Sequence, residues 1–352
     1  MNEERNYGID LSRLVFMFMV CTLHVLGQGG VLDACIIGTQ KYKVYWLMEI
    51  MCYCAVDGFA LISGYVATNK KHKYSKIVNM WLQVFFYSFI VTMLIGQICG
   101  ADIGVRIILK SIFPVMLNTY WYFTAYVALF FAMPIFDKYI FEISEKEAMA
   151  MLIIMFFLYS LLGTIADPFI TGNGYSALWI MILYCIGAIT KKIKLFSRKK
   201  SRELVIWLGI CIFITWIDKI YVRNERITLT NYLSPTILGS ALILVILFSR
   251  IKVSKKVSKK IISRLSPLAF GIYLFQLNII IWNEKLKNAF SYITSLDVVL
   301  GVLQVLGGAV LIFLVGLVVE YVRSNIYKKI KVALISEKIV DLAEKVFVRL
   351  MR

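Results

Sequence analysis

The chain has 352 residues, of which 60% are hydrophobic and 17% charged, with a mean hydropathy of +0.77 and a formal net charge of +18. So apolar a composition excludes an ordinary soluble domain and identifies an integral membrane protein. The positive charge does not call for a nucleic-acid partner, because the lysines and arginines gather at the ends of apolar stretches, where anionic lipid headgroups attract them.

Ten apolar stretches read as transmembrane helices: 10–29, 44–67, 76–97, 118–136, 148–165, 174–190, 203–220, 231–248, 267–284 and 296–319. Each is long enough to cross a hydrocarbon core of roughly 30 Å. The expected fold is therefore all-α, a polytopic bundle over residues 1–326 followed by a tail over 327–352. Alternating crossings put 30 of the 39 basic residues on one side, above all in KKIKLFSRKKSR at 191–202 and RIKVSKKVSKKIISR at 250–264. By the positive-inside rule that side, with both termini, is cytoplasmic, and the expected location is a bacterial cytoplasmic membrane.

The first span, GIDLSRLVFMFMVCTLHVLG, contains Asp10, Arg13 and His24. It lacks a small-residue cleavage pattern and is followed by further spans, so it is expected to be retained rather than removed as a signal peptide. Eleven residues bring Arg13 and His24 back to nearly one helical face, about 16 Å apart along the axis. Asp10 has a plain reading as the helix N-cap, and Arg13 can snorkel to headgroups. His24 lies deeper; it is either a hydrogen-bonded packing residue or a group that exchanges protons in a cavity.

Span two ends CAVDGFALISGYVATNKKHK. Asp57 lies within the membrane thickness and requires a partner, either as helix glue or as part of a polar site. Ser63-Gly64-Tyr65 permits close helix approach, and Lys70, Lys71, His72 and Lys73 follow as a basic mouth suited to phosphates or to lipid headgroups. In the fourth span, NTYWYFTAYVALFFAMPIF, Trp121 and Tyr122 fit an interfacial aromatic belt or a saccharide-binding wall. In the ninth, SPLAFGIYLFQLNIIIW, Tyr273, Gln276 and Asn278 are intramembrane polar positions, serving as interhelical glue or cavity lining. From Tyr327, apolar residues fall along one face of a basic amphipathic helix expected to lie on the membrane surface. The seven cysteines lack a disulfide or zinc pattern, and no metal site is expected.

The stretches RNYGIDLSRLVFMFMVCTLH, DGFALISGY, NTYWYFTAYVALFFAMPIF and SPLAFGIYL together resemble the membrane-bound acyltransferase-3 family, which includes bacterial surface-polysaccharide O-acetyltransferases, over roughly residues 5–330. The resemblance implies a ten-helix core that carries an acyl group, usually acetyl, from cytoplasmic acyl-CoA to a hydroxyl of a cell-envelope glycan or lipid-linked precursor. The family's Arg-x10-His pair maps onto Arg13 and His24 as catalytic candidates, and its Ser-Gly-Tyr signature onto Ser63, Gly64 and Tyr65. Asp10, Asp57, Lys70, Lys71, Lys73, Trp121, Tyr122, Tyr273 and Gln276 join Ser63 and Tyr65 as candidates for binding donor or acceptor. The chain departs from the family twice: Gln276 stands where many members have histidine, and lysines replace an arginine-rich motif before the third helix, without arginine's bidentate fork. A related branch has been proposed to transport small solutes such as amino acids, so transport is the alternative function, and a noncatalytic assembly role is a third.

Overall fold

A computed structural model describes residues 5–67, 72–223 and 227–350. It is all-α. The helices are α1 (Tyr7–Leu26), α2 (Gln40–Tyr53), α3 (Ala55–Tyr65), α4 (Ser75–Phe85), α5 (Thr92–Cys99), α6 (Val105–Ile112), α7 (Trp121–Glu142), α8 (Glu145–Met155), α9 (Leu162–Ala166), α10 (Ala177–Lys192), α11 (Ser201–Ile217), α12 (Pro235–Ser249), α13 (Lys256–Leu265), α14 (Ala269–Gln276), α15 (Val298–Lys329) and α16 (Val332–Leu350). Wider π turns join α4 to α5 and α8 to α9, so each pair runs on as one long rod. Among the described residues seven helices are long and apolar enough to cross a membrane, or eight if the bent pair Lys256–Gln276 and Ile281–Ser295 is one span. This is a multi-pass membrane protein.

Helix α1 runs through the middle of the bundle and packs against α2, α3, α12, α14 and α15. Its N-cap is Asn6, whose side chain accepts from the Gly8 and Ile9 amides, and not Asp10. Asp10 sits one turn inside the helix, buried and held by Arg5 and Arg13.

The Ser63-Gly64-Tyr65 glycine serves packing. A Cβ on Gly64 would lie 1.8 Å from the Tyr184 carbonyl oxygen of α10, and one on Gly187 would lie 2.1 Å from the Leu61 carbonyl oxygen of α3. Two glycines facing opposite backbones let α3 and α10 approach closely, the contact by which membrane helices associate where no hydrophobic effect separates helix from lipid.

The stretch 267–284, expected as one helix, is broken. Residues 277–280 bend the path by 74°. Neither glycine nor proline marks the break. Instead the Asn278 amide donates to the Tyr87 carbonyl and the Thr92 hydroxyl at 2.8 Å each, while its carbonyl accepts from the Ile280 amide at 3.1 Å. One side chain thus satisfies donors at the break and the carbonyl freed by the π turn at Phe86–Val91, as unwound backbone in a membrane requires.

The last long helix also exceeds its expected bounds. Helix α15 continues to Lys329, ~48 Å at 1.5 Å per residue. It carries a buried Glu320–Arg323 pair that lies beyond the apolar stretch 296–319. The Arg323 Nε and Nη2 groups donate to the Glu320 carboxylate at 2.8 and 2.6 Å, joined by Gln83 Nε2 at 3.1 Å and the Tyr87 hydroxyl at 2.9 Å. Four donors satisfy the carboxylate, which makes burial of the pair tolerable. Helix α16 then packs along α4, with Leu334, Ile335, Ile339, Leu342 and Val346 exposed.

Candidate active site

The bundle encloses a cavity of about 810 Å3. Helix α1 lines it with Arg13, Met17, Val20, Leu23 and His24, which share one helical face, and Gly27 and Gln28 follow just past its end. The eleven-residue spacing does bring Arg13 and His24 to the same space. Helices α2 and α3 oppose with Glu49, Tyr53, Val56, Phe59 and Ser63, another single face. Helix α7 adds Trp121, Tyr122 and Tyr126, and the broken helix adds Phe270, Tyr273, Leu277 and Trp282.

The two ends differ chemically. Arg13 donates to Asp10 at 2.6 Å, and Arg5 holds the other carboxylate oxygen, so Arg13 enters the cavity as the inner member of a three-residue ion cluster. At the far end the His24 ring meets the edge of Trp282 with centroids 4.8 Å apart. Its Nδ1 is shielded and has no hydrogen-bond partner, which leaves Nε2 as the ring nitrogen on the cavity side. Gln276, fully buried behind the ring, donates its amide to the Met17 sulfur at 3.7 Å and lies beside His24 and the Cys21 thiol. The Gln276 carbonyl oxygen is also unpartnered. A neutral imidazole whose shielded N–H donates to that oxygen would present Nε2 as a base.

Ser63, Trp121, Tyr122 and Tyr273 line the cavity with Arg13 and His24, and Gln276 backs it. Asp10 does not line the cavity; it contacts Arg13, which does. Asp57 is completely buried behind the lining, where one oxygen accepts from Trp179 Nε1 at 3.1 Å and the other has no partner. Tyr65 lies off the lining, and Lys73 is exposed at the approach to α4. Lys70 and Lys71 fall outside the described residues. His72 ends in a different contact: its Nε2 lies 2.9 Å from Asp137, whose second oxygen accepts from the Tyr184 hydroxyl at 2.6 Å.

Several lining residues were not anticipated. Glu49, Tyr53, Tyr175 and Tyr232 converge near the His24 end. Glu49 had a signal, since an acid inside an apolar span is as conspicuous there as at Asp57. Tyr175 and Tyr232 had none, being loop aromatics that only the tertiary fold brings inward. Among the described residues no group of three His, Cys, Asp or Glu side chains is placed to hold a metal ion.

A family model described as an acyltransferase domain, acyltransferase-3, matches residues 6–321. No curated protein and no solved structure matches the chain.

Proposed function

Because the chain belongs to the acyltransferase-3 family, and is thus a membrane-embedded acyltransferase, we propose that it moves an acyl group, in the first instance acetyl, from cytoplasmic acyl-CoA to a hydroxyl of a cell-envelope glycan or lipid-linked saccharide. The observation that carries this reading is the single cavity with Arg13 at one end and His24 at the other. The reading takes the orientation expected from the sequence, with the Arg13 end toward the cytoplasm, the side to which 30 of the 39 basic residues are assigned.

The donor's phosphates bind near Arg13 and the lysines before α4, and the pantetheine arm reaches along the cavity. About 16 Å of helical rise separates Arg13 from His24, so the two do not share a reacting atom. His24 Nε2 takes the proton of the acceptor hydroxyl as its oxygen attacks the thioester carbonyl. The C–S bond then breaks, and the imidazolium returns the proton to the departing thiolate, giving the O-acyl ester and free CoA. Asp10 fixes the Arg13 head, and Trp121, Tyr122 and Tyr273 face the acceptor.

The test compares envelope glycans from cells with and without the gene, by mass, for an alkali-labile acyl increment. An increment that appears only with the gene supports the reading. Its absence from cells that contain the folded protein counts against it.

A further inference from the structure

Resting on that reading, and deepening it toward the acceptor, we propose that Glu49 and the aromatic wall of Tyr53, Trp121, Tyr175 and Tyr232 form a subsite for an uncharged sugar ring, with Glu49 bonding its hydroxyls.

Glu49 is the one carboxylate among the residues lining the cavity. It is 8% exposed, and its Oε2 has no hydrogen-bond partner. The cation that interacts with it, Lys219, has its ammonium 4.0 Å from the centre of the Trp46 ring and does not line the cavity. A buried carboxylate left in this state is costly unless a ligand supplies donors. Hydroxyl groups do so without adding charge.

Glu49 also stands at the height where chemistry is proposed. The Cys52 thiol interacts with the Thr22 hydroxyl, which fixes the register of the antiparallel pair α1 and α2. Glu49 precedes Cys52 by one turn, about 4.5 Å, and His24 follows Thr22 by two residues, about 3 Å, both toward the same end. A ring held by Glu49 therefore presents a neighbouring hydroxyl toward His24.

The rings beside Glu49 form a continuous surface. Tyr53 stacks on Tyr232 with centroids 4.7 Å apart and planes at 28°, Tyr175 meets Tyr232 at 5.0 Å, and Trp121 meets Tyr175 at 4.7 Å. Aromatic faces pack against the apolar C–H face of a pyranose, and the carboxylate takes its hydroxyls. A uronic acid or a phosphorylated sugar would have to bury its own charge against this aromatic wall, where Glu49 offers it no cation.

The experiment titrates purified protein, through its tryptophan fluorescence, to which the lining residues Trp121 and Trp282 contribute, with methyl glucoside, galactoside and mannoside, and with methyl glucuronide and glucosaminide. Acyl-CoA affinity is measured in parallel. Wild type should bind at least one neutral glycoside and prefer glucoside to glucuronide. Glu49→Gln should weaken the neutral glycoside several-fold to about tenfold, as loss of a buried hydrogen-bond partner does, with acyl-CoA affinity unchanged. Unchanged glycoside affinity in a folded Glu49→Gln, tighter binding of glucuronide or glucosaminide by wild type, or no neutral glycoside bound up to its solubility limit would each overturn the proposal. If Glu49→Gln does not fold, the wild-type preferences and Glu49→Asp, which must keep them, still decide. Glu49-dependent glycoside binding without acyl-CoA binding would defeat the transfer reaction and leave this subsite standing.

Discussion

Gly271 of α14 lies directly against Glu320 of α15, so that a Cβ on Gly271 would stand 2.2 Å from the Glu320 Oε2. The absent side chain is what lets the broken helix seat on the carboxylate that Arg323, Gln83 and Tyr87 hold. Tyr273 and Gln276 take their places in and behind the cavity from that seating.

Gly271→Ala should therefore wedge α14 away from α15 and cost about 1–3 kcal/mol. Thermal unfolding in detergent, followed by loss of monodisperse protein, should show a clear drop in midpoint. Gly307→Ala on α15, where a Cβ meets nothing within 4 Å, is the matched control and should leave the midpoint nearly unchanged.

In the proposed reaction Gln276 acts through His24. Gln276→Leu should lower kcat by on the order of 10–100-fold, the usual cost of removing a group that orients a histidine, while donor Kd stays constant. It should also displace the pH–rate profile, and Gln276→Asn, which keeps the amide, should recover part of the activity. A profile that keeps its position would make Gln276 a packing residue.

Asp167, in the loop after α9, offers a pH test outside the membrane spans. Burial acts to raise its pKa, but the Thr171 hydroxyl and the amides of Thr171, Gly172 and Asn173 donate to it and hold it below the ordinary aspartate value. A lowered native pKa means that its stabilising contribution is present above the unfolded value, about 3.9, and is lost as pH falls through the native value. Proteolytic nicking of the loop 167–176 should rise as pH falls below about 4. In Asp167→Asn it should be high and flat across that range.

Orientation has its own check. Tyr221→Cys, exposed at the His24 end, should react with a membrane-impermeant thiol reagent from outside intact cells, whereas cysteines placed in 191–202 and 250–264 should not. The reverse pattern would put the donor on the wrong side for cytoplasmic CoA.

Local pattern accounts for much of this architecture. Apolar runs mark the helices, and the spacing of Arg13 and His24 alone indicates a shared face, because helical period is a property of one segment. The break at 277–280 was not legible, since its cause is Asn278 bonding to Tyr87 and Thr92 of another helix, nearly 200 residues away in sequence. Asp57 and Glu49 show the same limit from the other side. Both are acids in one span, yet Trp179 claims Asp57 behind the wall while Glu49 reaches the cavity, and which faces inward depends on how α2 and α3 pack.

The central claim is that His24 handles the proton in acyl transfer, and it is tested by comparing turnover with donor binding in one preparation. Purified wild type, supplied with labelled acetyl-CoA and extracted envelope glycan, should release CoA and label the glycan. His24→Ala should lose about 10²–10⁴-fold in turnover, the range for a general acid–base group, while acetyl-CoA affinity stays within a few-fold. Turnover within a few-fold of wild type, or no CoA release by wild type alongside His24-dependent movement of an unmodified solute, would contradict the account.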